Sequence, residues 1–134
     1  MADDNDHLLT VELVAADRTV WTGEAAMVVA RTADGEVGIL PHHAPLLGSL
    51  ANGVVQIRQE GGETVIAAVH GGFLSVADNR VGILAELAEL ADEIDLGRAQ
   101  QALEKARPDV LEDEDAKDAV RRAEARVRAH ELAG

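Results

Sequence analysis

The chain has 134 residues, a formal charge of −13, no cysteine, and only two aromatic residues, Trp21 and Phe73. That length favours one compact unit or a small domain with an appendage, and a core with so few rings must be assembled from many Ala, Val, Leu and Ile side chains. The composition excludes disulfides and thiolate metal sites, argues against direct nucleic-acid binding, which needs clustered Lys and Arg, and offers no run near the roughly 20 apolar residues of a membrane-spanning helix.

The first residues, MADDNDH, are acidic without an apolar run and read as neither a secretory signal nor a transit peptide. LLTVELV, residues 8–14, is β-prone and roughly alternating, and AAMVVART, residues 25–32, is a longer apolar run. GEVGILPHHAPLLGSL, residues 35–50, reads as a loop stiffened by Pro41 and Pro45. It would turn Ile39, Leu40, Leu46 and Leu47 partly inward and partly toward a partner. VVQIRQE at 54–60 and ETVIAAVH at 63–70, joined by Gly61-Gly62, predict a tight hairpin. FLSV at 73–76 and VGILAE at 81–86 predict a second one about Ala77-Asp78-Asn79-Arg80. Turn signals this closely spaced suggest an antiparallel sandwich or barrel.

Near residue 90 the period changes. Leu96, Ala99, Leu103 and Ala106 are spaced three, four and three apart and form one helical stripe. Asp95 stands where an N-cap belongs, and Pro108 stops the helix at about Arg107. An acidic connector, VLEDEDA, follows, and Asp115 with Asp118 can open a second helix. There Ala116, Ala119, Val120, Ala123 and Val127 line one face, with Lys117, Arg121, Arg122, Arg126 and Arg128 around the rest. Residues 1–88 carry 4 basic and 12 acidic groups, residues 89–115 carry 3 and 10, and residues 116–134 carry 5 and 3, giving −8, −7 and +2. The last segment is thus basic in an acidic protein and suited to an anionic or acidic partner. The pattern divides the chain into a β-sandwich, residues 1–88, and an antiparallel two-helix hairpin, residues 89–134, an α+β architecture. Stripes built largely of alanine bury little, since even a leucine is worth only about 1.5–3 kcal/mol, and helices of about 12 residues are marginal alone. The hairpin is therefore either an ordinary packed tail or an arm close enough to balance to act as a switch.

His42 and His43 invite a metal reading with His70 as third ligand. Adjacent residues on a strand point to opposite faces, however, and no HExxH or other ligand spacing is present, so no metal is expected. No G-x-S-x-G, cysteine nucleophile or P-loop is present either, which leaves a small His-dependent metalloenzyme the weakest alternative.

GEVGILPHHAPLL closely resembles the G-E-x-G-I-x-P-x-H-A-P-L signature of the epsilon subunit of F-type ATP synthase. TVELVAADRTVWTGEA resembles that family's opening strands, VHGGFLSVADNRVGILAELAE its glycine-pair hairpin, and IDLGRAQQALEKA its [IL]-D-x-x-R-A helix opening. Together these span nearly the whole chain in the family's order. The resemblance implies an N-terminal antiparallel β-sandwich followed by a C-terminal antiparallel two-helix hairpin. It also implies a non-catalytic rotor subunit with no cofactor of its own. Such a subunit sits with the gamma subunit on the c-ring and is held only peripherally, through the complex, at the cytoplasmic face of the bacterial membrane. There it couples proton flow to ATP synthesis. In many bacteria the hairpin extends toward the alpha and beta subunits and blocks ATP hydrolysis.

Carried over residue by residue, the resemblance puts Glu36 and His43 at the end facing the c-ring. The alternative for Glu36 is a solvated turn residue. His42 stands where relatives often have glycine and has no assigned role. Ile94, Asp95, Arg98 and Ala99 match a motif that, in some relatives, belongs to a regulatory ATP site, with Glu89 facing ribose or base and second-helix arginines closing the cage. The competing reading has Asp95 as a cap and Arg98 paired with Asp95 or Glu93. A free-standing ATP-sensing module built on this motif is the principal alternative function. Arg121, Arg122, Arg126 and Arg128 would be the basic face used in inhibition, or a solvated face.

Overall fold

The computed structural model describes residues 7–106 and 114–133. Eight strands come first: β1 (Leu9–Ala15), β2 (Thr19–Ala25), β3 (Met27–Thr32), β4 (Gly35–Ile39), β5 (Leu46–Ser49), β6 (Gly53–Arg58), β7 (Thr64–Ala77) and β8 (Arg80–Leu90). A single 3-10 turn (Ala91–Glu93) leads into helices α1 (Leu96–Ala106) and α2 (Glu114–Ala133). No helix among the described residues is long and apolar enough to cross a membrane.

The strands make a two-layer sandwich because β7 and β8 are long enough to serve both layers. The first half of β7 pairs with β6, from Thr64 opposite Arg58 to Val69 opposite Gly53. Its second half pairs with β5, from Phe73 opposite Ser49 to Val76 opposite Leu46. β8 follows β7 throughout, and its first half also pairs with β1. The passage between layers falls at Gly71 and Gly72, with φ of 70° and 111°. A Cβ on Gly72 would lie 1.9 Å from the Leu84 carbonyl oxygen, so only glycine fits where the strand bends across its partner. The β7–β8 turn has Asp78 and Asn79 both in the left-handed region, the two-residue geometry that matches strand twist.

Between the layers lie Leu9, Val11 and Leu13 of β1, Val28, Ile39, Val55, Ile57, Val69, Leu74 and Ile83, all fully buried. Their alternation with exposed neighbours on β1 is the period-two pattern of a half-buried strand. Neither aromatic residue enters the centre. Trp21 packs half-buried against the core edge and Phe73 is 55% exposed.

The helical hairpin is layered on the sandwich through α2, which lies on β6 and β7, while α1 stacks on α2. Ala125 and Ala129 of α2 join Ile66, Ala68, Ala91 and Ile94 in a second apolar cluster, with Val54 at its margin. Ala99 of α1 is buried, whereas Leu96 and Leu103 are only half-buried.

Several sequence expectations need correction. Residues 35–50 are not one loop, because β4 pairs with β3 and β5 with β7, and only residues 40–45 are loop. The segments 63–70 and 73–76 are one strand, since the glycine pair bends the backbone without ending its pairing. β1 and β8 run parallel in a sandwich otherwise antiparallel. The single apolar stripe expected on α2 captures Val120 and Ala123, both buried, but misses Ala125 and Ala129, because this helix is covered on two sides. The expected stop at Arg107 and Pro108 and most of the acidic connector lie outside the described residues.

Candidate functional site

The loop 40–45 is shaped by its own backbone. The His43 amide donates to the Leu40 carbonyl at 3.1 Å, closing a turn. His42 takes φ 69°, and its amide donates to Asn79 Oδ1 at 2.6 Å. The left-handed conformation at residue 42 is the one glycine favours, and here the cap from Asn79 ties the loop to the β7–β8 turn. The His43 ring is half-buried, with Nδ1 donating to the Ala44 carbonyl at 2.6 Å. Leu40 beside it is 55% exposed. Glu36 keeps different neighbours. It sits near the start of β4 in register with Arg31, and both line a cleft of about 720 Å³ between the sandwich and the hairpin. Asn52 and Gln56 face this cleft from the sandwich, and Arg121 and Arg128 face it from α2.

The 94–99 motif is largely spent on structure. Ile94 is buried in the second apolar cluster, and Ala99 is buried on α1, the helix that stacks on α2. Asp95 is the N-cap of α1: its Oδ1 accepts from the Arg98 amide at 3.0 Å and its carbonyl from Ala99. Arg98 is exposed beside Gln101, Ala102, Glu104 and Lys105, whereas Arg121 and Arg128 line the cleft. Glu93, one expected partner of Arg98, instead accepts two hydrogen bonds from Arg18, at 2.9 and 3.2 Å, and a third from the Leu90 amide. Arg18 and then Leu90 hold the Glu93 carboxyl below the usual carboxylate range. Glu89 accepts a hydrogen bond from Arg126 Nε. The sequence-derived nucleotide set is thus not gathered around one opening in this posture.

The arginines of α2 divide by task. Arg126 ties the helix to Glu89 of β8, and Arg121 pairs with Asp118 one turn back on its own helix. Arg128 faces the cleft. The metalloenzyme alternative fails on placement. His70 lies buried on β7, seven residues along that strand from its end at Ala77, or about 23 Å at the usual strand rise. His42 and His43 sit beside that far end, at Asn79. Among the described residues no group of three metal-ligating side chains exists.

Leu47, expected to turn partly toward a partner, belongs to an apolar face on the outer side of the layer containing β5, β7 and β8, whose other members, Phe73 and Leu84, sequence reasoning missed. Leu47 is 75% exposed, and Phe73 and Leu84 are 55% exposed each. Phe73 and Leu84 stand opposite each other, and Leu47 is diagonal to Phe73, two residues from its partner Ser49. Exposed apolar groups gathered this way mark an interaction surface. The available signal was the alternation Phe73-Leu74-Ser75-Val76, in which the inward set is Leu74 and Val76 and the aromatic must point out.

A β-sandwich with an apolar outer face, a stiffened loop at one end and a helical hairpin docked on its side has the form of a binding subunit. Residues 8–91 match the family described as ATP synthase, Delta/Epsilon chain, beta-sandwich domain. The chain is 59% identical over 121 residues to the ATP synthase epsilon chain of Streptomyces avermitilis, covering 90% of this chain and 94% of that one. It is 48% identical over 126 residues to that of Rhodococcus opacus, covering 93% and 98%. Its fold is similar to a chain in the cryo-EM structure of Euglena gracilis mitochondrial ATP synthase (OSCP/F1/c-ring, rotational state 1), with a TM-score of 0.78 and 28% identity over 95% of this chain and 81% of that one. The chain belongs to the epsilon-subunit family of F-type ATP synthase, as a non-catalytic subunit of the central stalk.

Proposed function

We propose that this subunit couples proton translocation to ATP synthesis through its sandwich, residues 1–88, and regulates ATP hydrolysis through its hairpin, residues 89–134. The gamma subunit would cover the Leu47, Phe73 and Leu84 face. Glu36 at the start of β4 and His43 in the loop after it would each face the c-ring, with the Glu36 carboxylate pairing with a basic loop residue and the stiffened 40–45 loop losing little freedom on contact. Held through these contacts, the subunit would be peripheral at the cytoplasmic face of the bacterial membrane. On release, α2 would carry Arg121, Arg122, Arg126 and Arg128 toward acidic segments of alpha and beta. Exposed charge pairs contribute about 0–1 kcal/mol each, so inhibition would be shared among them.

The observation that carries this reading is the hairpin's slight mooring: α2 meets the sheet through two alanine side chains, Ala125 and Ala129, and one ion pair, Arg126 with Glu89. The test is add-back to a complex lacking this subunit, with pumping and hydrolysis measured together. Deleting residues 89–134 should preserve binding and raise hydrolysis. Unchanged hydrolysis removes the regulatory role, and unchanged pumping without the subunit removes the coupling role.

A further inference from the structure

His70 is the only buried polar side chain among the described residues, at 4% exposure. It lies on β7 immediately before the bend, opposite Leu87 of β8, on the strand that carries Ile66 and Ala68 beneath α2. Neither ring nitrogen has a hydrogen-bond partner. Nε2 stands 3.6 Å from Glu89 Oε1, too far for a hydrogen bond, and that same oxygen accepts from Arg126 Nε. The charged groups facing the imidazole are Glu89 from β8 and Arg126 and Arg122 from α2. Two guanidiniums against one carboxylate leave a positive surrounding, and burial denies an imidazolium the hydration it would need.

We propose that His70 is a proton-operated latch for the helical arm: the neutral imidazole is compatible with α2 lying on the sheet, and proton uptake there drives α2 off. The proposal extends the regulatory reading to what holds the docked posture, and its test uses the subunit alone. Leaving the sheet would take Arg122 and Arg126 away and open His70 to water, so the protonated ring is favoured only in the undocked arm. Burial, then Arg126, push the docked ring down to about 4, against an ordinary value of 6.5. Because docking disfavours the proton, the proton disfavours docking. Docking therefore keeps its full strength above pH 6.5. It weakens by up to about tenfold per pH unit as pH falls toward 4, roughly 300-fold in all. An arm moored by alanine methyls is sensitive to changes of that size.

The experiment is hydrogen exchange of the Ala125–Ala129 amides in the full chain, with protection factors corrected for the intrinsic pH dependence of exchange. Protection in the unmodified chain should be about tenfold lower at pH 5.5 than at pH 7.5. In His70→Gln, which cannot take the proton, it should not change over that range. Equal pH dependence in both chains, or none in the unmodified chain, overturns the proposal. Should His70→Gln fail to fold, NMR titration of His70 in the unmodified chain decides: a ring titrating near 6.5 with α2 docked overturns the latch, and one titrating well below it supports it. A latch that works in an arm without effect on hydrolysis would refute only the regulatory reading, and an inhibitory arm insensitive to pH only the latch.

Discussion

Replacing Ala129 with glutamate should detach the arm and leave the sandwich standing. Ala129 is fully buried between α2 and the sheet, beside Ala125, Ile66, Ala68, Ala91 and Ile94. Each alanine methyl contributes about 0.8 kcal/mol. Ile66 and Ile94 contribute at most about 1.5–3 kcal/mol each if α2 accounts for all their burial. The gross gain over the four alanines and two isoleucines is then about 6–9 kcal/mol, an upper figure because the undocked arm retains some contacts. A carboxylate without a partner in that seam costs several kcal/mol even after relaxation, which consumes most of the gain. Glutamate propagates helices nearly as well as alanine, so α2 should not melt through propensity. Neither Ile66, Ala68, Ala91 nor Ile94 belongs to the core between the two layers, so that core keeps its contacts. Hydrogen exchange resolved along the chain reads both parts at once: protection should be lost over α2 and retained at Val11, Ile57 and Ile83. A fully folded variant with α2 still protected refutes the mooring argument. Collapse of protection everywhere refutes the independence of the two cores.

Gly72→Ala should abolish folding or cost several kcal/mol, because the added methyl meets the Leu84 carbonyl at 1.9 Å and the residue holds φ 111°. A thermal melt within a few degrees of the unmodified chain would contradict the bend. Phe73→Ser with Leu84→Ser should change stability little, as both side chains are 55% exposed, yet should abolish capture of the gamma subunit in a pull-down. Retained capture would move the gamma surface elsewhere.

Strong local signals carried most of the architecture. The glycine pair at 61–62 and the Asp78-Asn79 turn announce their hairpins, and Asp95 announces a helix start that the structure caps through Oδ1. What stayed hidden was either weakly patterned or long-range. β5 is only LLGS, four residues, and β4 is GEVGI, with two glycines in five. Neither offers enough alternation to distinguish it from the proline loop between them. Gly71-Gly72 has the composition of a break but acts as a bend, because the Gly72 φ is tolerated inside a continuing ladder. Ala125 and Ala129 carry almost no hydrophobic signal beside Arg126 and Arg128, and the sheet beneath them is what makes them core.

The candidate site was less legible for a physical reason. Motif residues announce themselves by spacing, but what each one does depends on which partner reaches it. The Asp95 carboxylate is within reach of its own helix start, so local capping engages it. Glu89 and Arg126 are 37 positions apart, and the same docking that joins them sets His70 beneath α2. This residue pair and this buried imidazole both depend on α2 lying against the sheet. The docked hairpin therefore has two kinds of mooring with different sensitivities. The alanine seam responds to shape, as Ala129→Glu tests, and the Glu89–Arg126 pair beside His70 responds to charge. Under the regulatory reading proposed above, the arm would let go without unfolding its base only if its moorings were separate from the base's own core, and the two clusters share no residue.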